Sequence, residues 1–122
     1  MGKHVLLVED EPNILEAMRF ILARDGWQVS THSVGADAVQ VIRAVAPDVV
    51  VLDVMLPGRS GYEILQELRA AEATRGLPVL MLTAKSQARD RELAERYGAN
   101  RFLTKPFANT EVLASVRALA GL

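Results

Sequence analysis

Three short segments of the chain carry continuous apolar runs, within residues 5–8, 48–53 and 78–83. A strand that is buried on both faces has such a run, whereas a strand with one solvated face alternates between polar and apolar residues. These segments therefore predict three central strands of a parallel sheet. Residues 27–32 alternate between polar and apolar side chains, and the apolar segment at residues 101–104 is short. We therefore predict edge strands at both places.

Helical patterns separate the predicted strands. Pro12 suits the first turn of the first helix, and Asp25-Gly26 ends it. Ser33 is predicted to cap the second helix, with Val34 on its inner face. The other inward-facing residues of these two helices are predicted to be Ile14, Met18, Ile21, Leu22, Ala38, Val41, Ile42 and Val45.

The second half of the chain predicts three more helices. Ser60 and Glu63 have the spacing of a capping box, which predicts a helix that ends near Gly76. A helix over about residues 86–97 has few apolar residues, so its contact with the sheet is predicted to be weak. Asn109 or Thr110 is predicted to cap the last helix. The inward-facing residues here are Ile64, Leu65, Leu68, Val112, Leu113, Val116 and Leu119.

Five strands that alternate with five helices predict an α/β fold. In such a fold the strands form one parallel sheet, helices cover both faces, and the crossovers are right-handed. The 122 residues suit a single domain that spans 1–122. The chain ends soon after its last helical pattern, which favours a protein without a further domain.

Composition excludes several classes of function. The net charge of −1 and the absence of a basic arm argue against binding of nucleic acid by this domain. The chain has no cysteine and no apolar run near the roughly 18 residues that would span a bilayer. We therefore expect a soluble, cytoplasmic protein without membrane contact.

Polar side chains follow four of the predicted strands, at the point where each strand ends. Because the carboxyl ends of parallel strands meet at one edge, we expect these side chains to converge. At about 4 Å and an effective dielectric constant near 20, each close carboxylate pair would cost about 4 kcal/mol. A divalent cation removes this cost, and an all-oxygen ligand set favours Mg²⁺ or Mn²⁺. The residues are Glu9, Asp10, Asp53, Thr83 and Lys105.

Asp53 is the predicted nucleophile, because it ends the central strand while Glu9 and Asp10 are better placed as metal ligands. A lysine and a hydroxyl suit the oxygens of a phosphoryl group, so the set could form and hold an aspartyl phosphate. Each residue alone has a simpler interpretation: Asp53 as a turn residue, Thr83 as a strand-end hydroxyl, Lys105 as a surface lysine. Their joint placement favours the site.

The sequence resembles the receiver domain of two-component response regulators over nearly its whole length. The resemblance lies in six segments taken together, in this order and spacing. They are Val8-Glu9-Asp10-Glu11, Val51-Leu52-Asp53-Val54-Met55-Leu56-Pro57-Gly58, Gly61-Tyr62-Glu63, Leu82-Thr83-Ala84, Gly98-Ala99 and Phe102-Leu103-Thr104-Lys105-Pro106-Phe107.

The resemblance implies a flavodoxin-like sheet with strand order 2-1-3-4-5. It implies that Asp53 takes a phosphoryl group from a sensor histidine kinase or phosphotransfer protein, without catalytic turnover of a substrate. It implies that Thr83 and Lys105 hold the phosphoryl oxygens and that Thr83 and Phe102 act in a conformational switch. It further implies a cis Lys105-Pro106 bond. The implied Mg²⁺ ligands are Glu9, Asp10, Asp53 and the backbone carbonyl of Met55.

The weakly anchored fourth helix, the fifth strand and the fifth helix are predicted to form the output surface. Asn100 and Arg101 stand where some receivers carry acidic dimer contacts, so we expect a monomer or a weak dimer. Met55 and Lys85 flank the expected path of attacking water. A methionine cannot orient water, which predicts slow self-dephosphorylation, and Lys85 is the second expected modulator of this rate.

Rival interpretations differ in testable ways. An aspartate-nucleophile phosphohydrolase would carry a second aspartate two residues after Asp53, where this chain has Met55. A nucleotide-binding module would carry a glycine-rich phosphate motif, which is absent. An inert receiver-like domain would not be expected to keep the site residues. Within the receiver interpretation, a stand-alone regulator is favoured over the receiver of a larger DNA-binding or enzymatic regulator, and the downstream partner is open.

Overall fold

The computed structural model of the chain describes residues 3–84 and 88–122. Strands and helices alternate along this part of the chain. They are β1 (His4–Val8), α1 (Pro12–Arg24), β2 (Gln28–His32), α2 (Ala38–Val45), β3 (Val49–Asp53), α3 (Gly61–Ala70), β4 (Val79–Thr83), α4 (Ala88–Arg96), β5 (Arg101–Thr104) and α5 (Asn109–Leu119).

The described strands form one five-stranded parallel sheet in the order β2-β1-β3-β4-β5. This order confirms the predicted α/β class and the flavodoxin-like arrangement. Every residue of β3 and β4 is buried, whereas β2 and β5 are partly exposed. The continuous apolar runs therefore mark the interior of the sheet, as the pattern predicted.

Each face of the sheet is covered by its own apolar core. Successive side chains of a strand point to opposite faces, so each central strand supplies both cores. On one face, Leu6, Val50 and Met81 pack with residues of α2 and α3. On the other, Leu7, Val51 and Leu80 pack with residues of α1 and α5.

The capping box predicted at the start of α3 is confirmed. The Ser60 hydroxyl accepts a hydrogen bond from the Glu63 backbone N–H at 3.3 Å, and the Glu63 carboxylate accepts one from the Ser60 N–H at 3.2 Å. The interaction fixes where the chain leaves the loop that follows Asp53.

Three predicted helix boundaries are wrong. The N-cap position of α2 is Asp37 rather than Ser33, without a capping bond from its side chain, and Val34 is 41% exposed rather than inward-facing. The cause is the loop before α2, whose backbone bonds to the loop after β3 and delays the helix. The cap residue of α5 is Ala108, whose N–H donates to the Glu111 carboxylate at 2.8 Å, so Asn109 and Thr110 are already helical.

The third error is the end of α3, which stops at Ala70 instead of near Gly76. The chain turns early because one side chain satisfies a free carbonyl group in the last turn of α3 and another bonds to the segment that follows. The Thr74 hydroxyl donates to the Leu68 carbonyl at 2.7 Å, and the Arg69 guanidinium donates to the Leu77 carbonyl at 2.8 Å. The predicted start of the fourth helix near residue 86 lies outside the described residues. Among those residues, no helix combines the length and apolarity that a membrane span requires.

Candidate functional site

The predicted site residues lie at the ends of their strands, at one edge of the sheet. Asp53 and Thr83 are the last residues of β3 and β4, and Lys105 directly follows β5. Glu9 and Asp10 directly follow β1. The parallel register continues past the strands, because the Lys105 N–H donates to the Thr83 carbonyl at 2.7 Å. The sheet topology thus brings together side chains that are far apart in the sequence.

Three carboxylates converge at this edge. Oxygen atoms of Glu9, Asp10 and Asp53 all lie within 4.8 Å of one another. Glu9 is fully buried and Asp53 is 1% exposed, whereas Asp10 is exposed to solvent. Buried carboxylates repel one another unless a cation or proton neutralises them. An all-oxygen donor set of this charge, partly open to water, fits Mg²⁺ or Mn²⁺.

Lys105 supplies positive charge to this cluster. Its Nζ lies 2.9 Å from Glu9 Oε1, 3.2 Å from Asp53 Oδ2 and 3.5 Å from Glu11 Oε1. Burial would lower the pKa of Lys105, but the contacts with Glu9 and Asp53 outweigh it and raise that pKa. Lys105 therefore stays charged and can bind an anion at Asp53.

Glu9 is the carboxylate most affected by its surroundings. Burial raises its pKa to about 7, with the nearby Asp53 acting in the same direction and Lys105 against it. Its Oε2 accepts hydrogen bonds from the backbone N–H groups of Asp10 and Glu11, at 3.0 and 3.1 Å. These bonds fix the carboxylate at the start of α1, in the position of a ligand rather than a solvated side chain.

The loop after β3 holds Asp53 by its backbone. The Met55 N–H donates to Asp53 Oδ1 at 3.3 Å, and the Met55 side chain is 69% exposed. An open groove of about 700 Å³ runs from Asp10 along this loop, lined by Met55, Arg59 and Glu63 among others. The groove gives solvent and larger molecules access to Asp10, the exposed carboxylate of the cluster.

Gly61, which the sequence showed only as part of the segment Gly61-Tyr62-Glu63, packs against the backbone at Asp53. A Cβ at this position would lie 2.3 Å from the Asp53 carbonyl oxygen and 2.9 Å from Val54 Cα. The Gly61 N–H also donates to the Val54 carbonyl at 2.9 Å. The start of α3 therefore packs directly on the backbone of the predicted nucleophile, which only glycine permits.

Phe102, Thr83 and Lys85 are the predicted functional residues outside the carboxylate cluster. Phe102 is on β5, half-buried, with the Arg91 guanidinium carbon 4.9 Å from its ring centroid. Thr83 is buried at the end of β4. Lys85 lies outside the described residues. The implied cis bond between Lys105 and Pro106 is confirmed.

Sequence reasoning missed the contacts that Glu11, Arg69 and Asn100 make. The Glu11 carboxylate lies 3.5 Å from Lys105 Nζ, although the sequence pointed to Glu11 only as part of a motif. The Arg69 guanidinium donates to the Gly98 carbonyl and to the Asn100 side chain, both at 2.9 Å. The same Asn100 oxygen accepts from the Val79 N–H at 2.8 Å. An arginine near a helix end can bind free carbonyls, so Arg69 had a usable signal, but its distant partners had none.

Comparison with known proteins agrees with this geometry. Residues 5–117 match the family model described as the response regulator receiver domain. The chain is 44% identical over 115 residues to the probable transcriptional regulatory protein TcrX of Mycobacterium tuberculosis, covering 94% of this chain and 48% of that protein. The chain thus spans about half the length of this curated relative.

Solved structures give the same result. A putative response regulator from Chloroflexus aurantiacus superposes with a TM-score of 0.93 at 31% identity, over 100% of both chains. The receiver domain of a sensor histidine kinase from Pseudomonas aeruginosa superposes with a TM-score of 0.89 at 32% identity, also over 100% of both chains. That structure is described with a magnesium ion in its active site cleft. The chain belongs to the family of response regulator receiver domains.

Proposed function

We propose that this chain receives a phosphoryl group on Asp53 and signals by a change in conformation. Receiver domains are signalling modules rather than turnover enzymes, and they interact with histidine kinases or phosphotransfer proteins. The single observation that carries the proposal is the contact of 3.2 Å between Lys105 Nζ and Asp53 Oδ2, beside the carboxylates of Glu9 and Asp10. This arrangement offers a nucleophile, a cation site and an anion-binding lysine within one cluster.

In the proposed reaction a carboxylate oxygen of Asp53 attacks the phosphorus atom of a phosphohistidine. The new bond joins that oxygen to phosphorus, the nitrogen–phosphorus bond breaks, and the histidine nitrogen retains the electron pair and takes a proton. Receiver domains bind Mg²⁺ at their acidic site, and a bound ion would supply positive charge to the oxygens of the phosphoryl group. Glu9, Asp10, Asp53 and the backbone carbonyl of Met55 would hold it.

Residues of the chain do the rest by position and charge. Lys105 already contacts Asp53, so it needs little movement to bind the phosphoryl oxygens. The hydroxyl of Thr83, at the end of the neighbouring strand, would bind another of them. Charge-assisted hydrogen bonds contribute about 1.5–3 kcal/mol each, so two of them approach the roughly 5.5 kcal/mol that inverts a two-state equilibrium.

The proposed output face consists of α4, β5 and α5. Lys105 directly follows β5 and Thr83 ends β4, so movement of either side chain acts on the segments that join these elements. Phe102 lies in β5 under Arg91 of α4, where a shift of the strand changes the exposed surface. Regulation of transcription, the role that the name of the relative TcrX gives, is one output that this face could control.

The deciding experiment is phosphorylation of the purified chain by acetyl phosphate in the presence of Mg²⁺. We expect the mass of one phosphoryl group to be added, detected by intact-protein mass spectrometry and lost on mild alkaline treatment, as for an acyl phosphate. Asp53→Asn should abolish the addition, and Asp48→Asn is the matched control at the opposite end of β3. Addition that persists in Asp53→Asn, or none in the unaltered chain, would contradict the proposal.

A further inference from the structure

The loop between β2 and α2, residues 33–37, lies next to the acidic cluster without contributing a carboxylate to it. Its flanking strand residue His32 accepts a hydrogen bond at its carbonyl from the Glu9 N–H, at 3.0 Å. Within the loop, the Gly35 N–H donates to the Pro57 carbonyl at 2.8 Å. His32 and Gly35 therefore bond to the backbone on two sides of the cluster, at Glu9 and in the loop that carries Met55.

Gly35 fits against the loop after β3 only because it has no side chain. A Cβ at this position would lie 2.3 Å from the Arg59 carbonyl oxygen and 3.0 Å from that of Pro57. Both neighbours are backbone atoms, so the contact could not be relieved by rotation of a side chain. Gly58 lies on the other side of the same contact between the two loops, a contact that we call the seam. It has a φ of +81°, and a Cβ there would lie 3.0 Å from the Ala36 Cβ.

The β2–α2 loop is itself held firmly. His32 Nε2 lies 2.7 Å from Asp37 Oδ1, and the Ala38 N–H donates to the Gly35 carbonyl at 3.2 Å. The helix that follows is fixed by Ala38 and Ile42, both buried in the core. A Cβ at Gly35 would therefore push the loop after β3 away from the sheet as well as strain the β2–α2 loop.

We propose that Gly35 is a positioning residue for the cation site, acting through the backbone of residues 57–59. This inference rests on the proposed function, because it concerns the Mg²⁺ that Asp53 and the Met55 carbonyl would hold. Gly35 does not touch the ion. It determines how closely the loop after β3 approaches the sheet, and hence where the Met55 carbonyl lies relative to the three carboxylates.

The test is Gly35→Ala, with Mg²⁺ affinity measured directly by calorimetric titration of the purified chain. Residues that orient metal ligands typically contribute 10- to 100-fold in affinity, so we expect the Mg²⁺ dissociation constant to rise about tenfold or more. Phosphorylation by acetyl phosphate should slow by a similar factor at low Mg²⁺ and recover as Mg²⁺ approaches saturation. This concentration dependence separates positioning from a general loss of structure.

Gly76→Ala is the matched control, because a Cβ there meets no atom within 4 Å. It makes the same chemical change in open space and should leave Mg²⁺ affinity unaltered. Thermal unfolding in a chelator reports whether each variant folds. If Gly35→Ala does not fold, Ala36→Val enlarges an exposed side chain on the same seam and should weaken Mg²⁺ binding less, in the same direction.

The outcomes separate this inference from the proposed function. Equal Mg²⁺ affinity for folded Gly35→Ala and Gly76→Ala overturns the positioning role and leaves the phosphoacceptor proposal intact. If Gly35→Ala does not fold, unaltered affinity in Ala36→Val likewise overturns it. Absence of Mg²⁺ binding and of phosphorylation in the unaltered chain overturns both.

Discussion

Lys105 connects the residues of the site more closely than any other side chain described at this edge. It faces Glu9, Asp53 and Glu11, of which Glu9 is fully buried. A buried carboxylate that loses its cationic partner either takes up a proton or remains charged at a cost in free energy. The lysine that would bind a phosphoryl group therefore also stabilises the fold before any phosphoryl group arrives.

Removal of this amine should be detectable as a loss of stability. We expect Lys105→Met to lower the free energy of unfolding by about 1–3 kcal/mol without Mg²⁺, the usual cost of leaving a buried polar group unsatisfied. Added Mg²⁺ should recover part of the loss, because it neutralises the same carboxylates. Urea unfolding followed by the fluorescence of Trp27, the single tryptophan, measures this. Lys3→Met, at the opposite edge of the sheet, is the control, and an equal loss there would contradict the prediction.

Met55 allows a prediction about the lifetime of the phosphoryl group. Its side chain is 69% exposed beside Asp53, and its thioether sulfur is too weak an acceptor to hold a water molecule in one orientation. Met55→Asn supplies a group that can orient water, and one hydrogen bond of about 1.4 kcal/mol corresponds to roughly tenfold in rate. We expect dephosphorylation about tenfold faster than in the parent, measured as decay of the phosphorylated mass after acetyl phosphate is removed. Met55→Leu should leave the rate unchanged; an unchanged rate in Met55→Asn would refute the idea.

Among the elements, α4 has few buried side chains over residues 91–96, the part of the helix whose burial the structure describes. Glu92, Glu95 and Arg96 are exposed and Ala94 is buried, so a narrow apolar stripe meets the sheet. The C-terminal end of α4 is held by Arg69 through the Gly98 carbonyl. Near its start, Arg91 covers Phe102 of β5. An element fixed at one end and weakly packed along its length is suited to pivot.

Amide hydrogen exchange can test whether this region responds to phosphorylation. With Mg²⁺ and beryllofluoride, a mimic of the phosphoryl group, we expect protection in α4, β5 and the first turn of α5 to change by about tenfold or more. A tenfold change corresponds to about 1.4 kcal/mol, which one charge-assisted hydrogen bond supplies. Protection in β1 should stay the same, and Asp53→Asn should abolish the response. Unchanged exchange in α4 and β5 would rule out this output face.

At the element scale, the sequence predicted every strand but misplaced three helix ends. The strands were predictable because burial on both faces leaves a local signal, the apolar runs at residues 5–8 and 79–82. The cap position of α2 was not predictable, because serine and aspartate are both common at helix N-termini. The hydrogen bond between Gly35 and Pro57 determines that α2 begins after Asp37 rather than after Ser33. A contact between distant loops has no signature in either local sequence.

For the whole molecule, the parallel topology creates the site. The order β2-β1-β3-β4-β5 places the ends of β1 and β4 on either side of β3, so Asp53 has a neighbour on each side. This arrangement was predictable from the strand-end residues of the chain. The exact approach of the loops was not, since the closest contacts involve backbone atoms and the glycines Gly35 and Gly61. Their chemistry gives no direct indication of which segment they face.

Crowding of negative charge at one edge implies that the site lowers the stability of the metal-free chain. Asp10 is the exposed member of the cluster and can be changed without burial of a new group. We expect Asp10→Asn to raise the thermal unfolding midpoint in a chelator, because it removes repulsion with Glu9 and Asp53. In the parent, Mg²⁺ at about 100 times its dissociation constant contributes about 2.7 kcal/mol, or roughly 10 °C in the midpoint. That rise should be strongly reduced in Asp10→Asn.

Calorimetry with and without Mg²⁺ measures both effects in one series. Glu72→Gln, an exposed carboxylate in the turn after α3, is the matched control and should keep the response of the parent to Mg²⁺. The two changes must occur together, because one carboxylate causes both the repulsion and the attraction of the cation. A variant that gains stability in the chelator but keeps the full Mg²⁺ response would place Asp10 outside the cation site. A variant that loses the Mg²⁺ response without gaining stability in the chelator would show that the repulsion between the carboxylates is already relieved in the parent. A proton on Glu9 would explain this, because burial raises its pKa to about 7.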